Sequence, residues 1–197
     1  MKKFVKALVL APVMLVALTA CESKMSSEKA QERAKGYDAA VLANYENVTV
    51  STKYSNVKAE GTYESRKDSL KDGEVTQQPE ECFCTEAAIK SLEDGGVGGI
   101  QVEGLTMETK TTVEYYSYKK TGLKIVVKTV GQGSFGDVTY DSKGTGTYWV
   151  LDDGRIEKAE TTNSVKTEGT MTVVVSIDMS GSMSYTAKSE YKWNAKQ

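Results

Sequence analysis

The chain has 197 residues, 25 Lys and Arg against 27 Asp and Glu, no histidine, three cysteines and two prolines, a length that fits one domain. A net charge of −2 leaves no basic excess to displace counterions from phosphates, so nucleic acid is not an expected partner. Without histidine, Ser-His-Asp and Cys-His catalytic sets and His-ligated zinc are excluded.

Met1-Lys2-Lys3-Phe4-Val5-Lys6 carries three lysines and no acid, and Ala7 to Ala17 carries no charge at all. A basic start, a short apolar run and small residues before a cut define a secretory signal, and the run is too short for an ordinary membrane span. Leu18-Thr19-Ala20-Cys21 resembles the lipobox of bacterial lipoproteins. The resemblance implies that residues 1–20 are a cleaved signal peptide and that Cys21 is lipidated at the mature N-terminus, anchoring the chain to a membrane. Two acyl chains suffice for stable anchoring where one does not. Without the three leader lysines, 22 bases face 27 acids, a net −5 that would not cling to anionic headgroups unaided. In bacteria with two membranes, Asp after the lipidated cysteine favours inner-membrane retention. Glu22 stands there, so the resemblance implies the outer membrane in such a host.

Residues 21–29 are polar and read as a tether, leaving 30–197 as one β-rich domain. Ala30, Ala34, Tyr37, Val41 and Tyr45 form one stripe of an amphipathic helix over roughly 27–45, which Gly36 weakens without having to break. From Asn47 the period changes to two. Val48, Val50, Thr52 and Tyr54 alternate with polar residues, and the pattern continues through Val57, Ala59, Gly61 and Tyr63. It returns over Leu105–Tyr115, Leu123–Thr129, Met171–Met179 and Met183–Tyr191. Half-buried antiparallel strands produce this alternation, and a chain rich in Thr, Val and its 11 Tyr suits a pleated surface. Turn signals at Lys71-Asp72-Gly73, Asp94-Gly95-Gly96, Lys120-Thr121-Gly122 and Asp152-Asp153-Gly154 separate the runs, and a second short helix fits Thr85 to Glu93. The predicted fold is mainly β: a curved antiparallel sheet of seven or eight strands, curling into a half-barrel around one N-terminal helix.

Three motifs carry chemistry on paper. Gly131-Gln-Gly133-Ser-Phe135-Gly136-Asp-Val138 resembles the glycine-rich loop of protein kinases. The histidine-bearing catalytic loop is impossible here, so a glycine-rich connection between two strands is the expected structure. Asp178-Met-Ser180-Gly-Ser182 resembles the divalent-cation loop of von Willebrand A domains, which implies oxygen donors suited to magnesium. One acid and two hydroxyls are a thin ligand set, and the sequence predicts a hairpin turning at Ser180-Gly181 with Val175, Ile177 and Met179 toward the core. Cys82-Phe83-Cys84 admits a small strained disulfide, a two-thiolate chelate for a soft metal, or a local disulfide pinning a turn before the 85–93 helix; the last is preferred. No nucleophile, base and orienting group stand out as a set, so neither an enzyme nor a cofactor is expected.

The lipobox, the leading helix, the long β-meander and the late Gly144-Thr-Gly-Thr-Tyr-Trp149 and Asp152-Asp-Gly-Arg-Ile156 hairpin together resemble the LolA/LolB and LppX-type lipoprotein fold. The resemblance implies a curved sheet wrapped around helices and a cavity for an acyl chain or other apolar or amphipathic ligand. The alternative is a structural or surface-interaction lipoprotein with no small-molecule site, acting through strand edges or a Tyr-rich face at Tyr115, Tyr116 and Tyr118 toward an unknown protein partner.

Overall fold

Alternation of period two becomes, in the structure (a computed structural model that describes residues 22–93, 105–172 and 175–197), a large antiparallel sheet with short helices on one face. In chain order the elements are β1 (Lys24–Met25), α1 (Ser27–Ala34), α2 (Tyr37–Asn44), β2 (Tyr45–Gly61), β3 (Gly73–Gln77), α3 (Thr85–Glu93), β4 (Leu105–Tyr118), β5 (Gly122–Phe135), β6 (Val138–Val150), β7 (Ile156–Glu168), β8 (Thr170–Thr172), β9 (Ser176–Asp178) and β10 (Gly181–Ala195). Among the described residues eight strands form one sheet in the order β1-β4-β5-β6-β7-β10-β2-β3, open at both edges, and β8 pairs with β9 in a separate two-stranded sheet. The leader, Cys21 and the turn signal at Asp94-Gly95-Gly96 lie outside the described residues.

The change of phase between Tyr54 and Val57 is a β-bulge. Ser55 pairs with Thr186 and Lys58 with Ser184, so Asn56, at φ 53°, and Val57 together oppose Tyr185. Without it, every residue beyond Asn56 would present the wrong face to the core.

The single N-terminal helix is two. Gly36 adopts φ 83°, a left-handed conformation that stops α1 and starts α2. The apolar stripe survives the break: Ala30, Ala34, Tyr37 and Val41 are all buried. The second helix, α3, spans Thr85–Glu93 as the sequence predicts.

Lengths then decide the architecture. Strands of 13 to 17 residues run about 43–56 Å at 3.3 Å per residue. Helices of eight or nine residues reach only about 12–14 Å at 1.5 Å per residue. Three such helices cover one end of one face. The core sits there, with Ala30, Ala34, Tyr37 and Ile89 packed on Tyr115, Leu123, Ile125, Val150 and Ile156.

Four expectations need correcting. The tether is not loose: Lys24 and Met25 pair with Tyr116 and Tyr115, and the Ser117 amide donates to the Ser23 carbonyl at 2.9 Å. The glycine-rich stretch is not a connection, because Gly131 and Gly133 lie inside β5 and the turn comes at Gly136-Asp137. The C-terminal hairpin does not turn at Ser180-Gly181 with an apolar face toward the core. Instead β8 and β9 project beyond the sheet, where Val175 and Ile177 are 64 % and 46 % exposed. Finally, Tyr115 is buried on the inner face, opposite Tyr116 and Tyr118, so no single face carries all three.

The helices α2 and α3 cap each other. Asp38 accepts hydrogen bonds from the Glu86 and Ala87 amides at 3.0 and 2.9 Å, and Glu86 accepts from the Gly36 amide at 2.8 Å. Each carboxylate answers otherwise orphaned N–H groups and the positive end of a helix. Asp38→Ala should therefore lower unfolding free energy by about 1–2 kcal/mol, with Asp38→Asn recovering part of the loss; urea denaturation checks both.

Candidate functional site

Side-chain size along the inner face tracks helix cover. On β5 the inward positions run Leu123, Ile125, Val127, Thr129, Gly131, Gly133, and burial declines from complete at Leu123 and Ile125 to partial at Val127 and Thr129. On β6 they run Val150, Tyr148, Gly146, Gly144, Ser142, Tyr140, so two glycines sit between two tyrosines. Beyond the helices the floor is thus lowered while Tyr140 and Tyr148 stand above it. The result is an open groove of about 420 Å³, bordered across β7 and β10 by Asn163, Val165, Met183 and Tyr185.

The walls are held from behind. Tyr148 stacks on Phe83 with centroids 4.8 Å apart and planes within 4°, which closes the helical end of the groove. Tyr148 also lies over Gly146, where an added Cβ would come within 2.9 Å of its ring. Tyr185 meets Tyr54 edge-on at 5.7 Å. Ser142 donates to the Gly131 carbonyl at 3.5 Å. The lining therefore alternates aromatic or aliphatic surface with Thr129, Ser142, Thr161 and Asn163, an amphipathic lining rather than an oily one.

Sequence reasoning expected a ligand cavity on the sheet but singled out neither tyrosine wall nor the strands that form the groove. The signal was present in Tyr140-Asp-Ser-Lys-Gly-Thr-Gly-Thr-Tyr148, where one strand face reads large, small, small, small, large.

Residues that the sequence did single out lie elsewhere. Cys82 and Cys84 are free thiols, so the predicted local disulfide is not formed in this structure. Their side chains engage different acceptors: Cys82 donates to Gln77 Oε1 at 3.4 Å and Cys84 to the Pro79 carbonyl at 3.8 Å. Burial, then the charges of Cys84, Glu81 and Glu80, pushes the Cys82 thiol up to about 11. Burial, followed by Asp38 and Glu80, raises Cys84 as well. This setting opposes the thiolate that disulfide exchange or a soft metal needs. What Cys82-Phe83-Cys84 contributes to the groove is Phe83.

Asp178, Ser180 and Ser182 do not converge as a cation cradle. The Asp178 carboxylate accepts from the Ser180 amide at 2.8 Å, and the Ser180 hydroxyl and amide hold the Asp178 carboxyl below its usual range. Ser180 Oγ also accepts from the Gly169 amide at 3.3 Å, and Ser182 sits in β10 opposite Glu60 and Lys166. Among the described residues no group of three or more Cys, Asp or Glu side chains is placed to hold a metal ion, and no helix is long and apolar enough to cross a membrane.

No family model, curated protein or solved structure matches this chain.

The buried Tyr37 and the half-buried phenols and thiols give the fold a defined alkaline limit. Burial, then Tyr148 and Cys82, pushes Tyr191 up to about 12, and burial raises Tyr37 and Tyr148 too. A group whose folded-state pKa is raised holds its proton longer than in the unfolded chain. Its stability contribution is complete below the unfolded pKa and is lost as pH rises through the folded value. Unfolding free energy should therefore hold steady to about pH 9 and then fall through pH 12, the window set by Cys82 and Tyr191. Urea titrations at stepped pH check this, and a flat profile above pH 9 would contradict it.

Proposed function

We propose that the chain is a bacterial envelope lipoprotein, tethered by lipid on Cys21 and residing in the outer membrane where the host has two membranes, that binds an amphipathic ligand in the groove of its sheet. One observation carries the binding half of this reading: the helices leave part of the inner face uncovered, and there Gly144 and Gly146 lower the floor between Tyr140 and Tyr148. Strands ordinarily avoid interior glycine, which packs nothing and costs backbone entropy. Two on one face of one strand, beside tyrosines, make sense where something else must approach the backbone closely.

The ligand chemistry follows from the lining. Tyrosine rings, Met183 and Val165 offer contact to an apolar or flat surface, while Thr129, Thr161 and Asn163 offer hydrogen bonds beside it. The LolA/LolB and LppX-type resemblance points to a lipid-like ligand. The groove modifies that expectation toward a shallow, partly polar contact. A structural or surface-interaction lipoprotein is the second reading, and the exposed Val175 and Ile177 on the projecting β8–β9 hairpin favour it.

Gly144→Val separates the two. An added Cβ at Gly144 meets only the Asn163 side chain, at 3.1 Å, and valine suits a strand, so the fold should hold or tighten. The substitution fills the floor. A dansyl fatty acid should bind residues 22–197 saturably, and Gly144→Val should weaken it by about tenfold, roughly 1.4 kcal/mol, with thermal unfolding unchanged or raised. No saturable uptake by the unsubstituted chain would favour the second reading.

A further inference from the structure

We infer that two copies of this chain join edge to edge through β4, antiparallel about a two-fold axis at Thr109, so that two eight-stranded sheets continue as one. Neither the lipid on Cys21 nor a ligand in the groove is needed for this.

One side of β4 (Leu105–Tyr118) is paired along its whole length with β5. On its other side, among the described residues, only β1 pairs with it, at Tyr115 and Tyr116. Residues 105–114 therefore form a strand edge, longer than the five-residue β3 at the opposite border. Proteins normally blunt such an edge with proline, a bulge or lysines. This one has no proline, keeps an unbroken register with β5, and carries a single lysine, Lys110, beside Glu108 on the same face.

The direction of the main-chain groups is fixed by β1. The Ser117 amide donates to the Ser23 carbonyl, so Ser117 turns its N–H toward the β1 side. Alternate residues share that direction, and Val113, Thr111, Thr109 and Met107 thus aim N–H and C=O out of the edge. Glu108 and Lys110 then fall at the non-hydrogen-bonded sites of an antiparallel partner, where facing side chains come closest.

Three constraints select one register. Inner face continues inner face only if the axis passes through a residue rather than between two. With the axis at Lys110, the second copy's Leu105 would lie opposite Tyr115, a place β1 already holds. With the axis at Glu108, that carboxylate would face its own copy. At Thr109 the second copy's Leu105 stops opposite Val113, and Glu108 faces Lys110 twice over by symmetry. Both side chains are exposed, and their cross-strand neighbours on β5 are the uncharged Gln132 and Val130, so neither charge is answered there. About ten main-chain hydrogen bonds would close the joint. The core lies at the Tyr115 end of β4, so antiparallel joining sets the helices of the two copies at opposite ends, with both grooves on the same side.

The full-length protein, as a bacterial host processes it, is purified in a density-matched nonionic detergent and weighed by sedimentation equilibrium. At micromolar concentration and low salt it should be a dimer. Glu108→Lys sets lysine against lysine at two places and should weaken that dimer by about tenfold or more, as should Lys110→Glu, which sets acid against acid. Mixing the two variants restores opposite pairs, so the mixture should dimerise about as tightly as the unsubstituted chain. The double variant Glu108→Lys/Lys110→Glu should do so alone. Thr109→Cys, with its two Cα atoms about 5.5 Å apart across the axis, should form a disulfide-linked dimer under mild oxidation and gives the reading if a charge variant folds poorly. A monomer at every concentration, or a dimer indifferent to both single charge reversals, overturns the pairing.

Discussion

Ala30 and Ala34 present almost no side chain where α1 meets the sheet, and that closeness lets Tyr37 and Ile89 reach Leu123, Ile125, Val150 and Ile156. Burying each of the larger side chains is worth about 1.5–3 kcal/mol, and this cluster is the main apolar contact between helices and strands. Because the helices are short and the strands long, the contact is confined to one end. Everything else follows from that confinement: small inward residues where no helix lies, tyrosines marking the border, and a groove rather than a filled interior.

Much of this was legible in the sequence, and the failures have a common cause. Period-two alternation located β2, β4, β5 and β10, and the stripe Ala30, Ala34, Tyr37, Val41 correctly named the buried side of the first helices. Alternation reports that one face is apolar; it does not report whether anything lies against it. Met171 to Met179 alternates as well as any core strand, yet β8 and β9 overhang the sheet and expose Val175 and Ile177. The helix length was misjudged for a local reason: only the backbone decides whether Gly36 takes a left-handed φ. β1 was unreadable because its two residues gain their partner from Tyr115 and Tyr116, some ninety positions away.

The groove was hidden for the converse reason. Gly144 and Gly146 entered the sequence reading only as part of the late hairpin that resembles a lipoprotein fold, not as the floor of a groove. Their role emerges only when the register places them beside Thr129 and Val127 on one side and Asn163 and Thr161 on the other. Likewise Cys82 and Cys84 drew attention as redox or metal chemistry, while the residue between them, Phe83, is the one that supports the groove wall. In the proposed account the inner face of the sheet carries the work, as an amphipathic groove.

Around Gly144 and Gly146 the inner face stands uncovered. Hydroxyl-radical footprinting of residues 22–197, read by peptide mass spectrometry, tests it most directly. The account predicts labelling of Tyr140, Met183 and Tyr185 with protection of Tyr37 and Tyr115 under the same dose. Protection of Met183 and Tyr140 as strong as that of Tyr115 would mean the face is covered, and would contradict it.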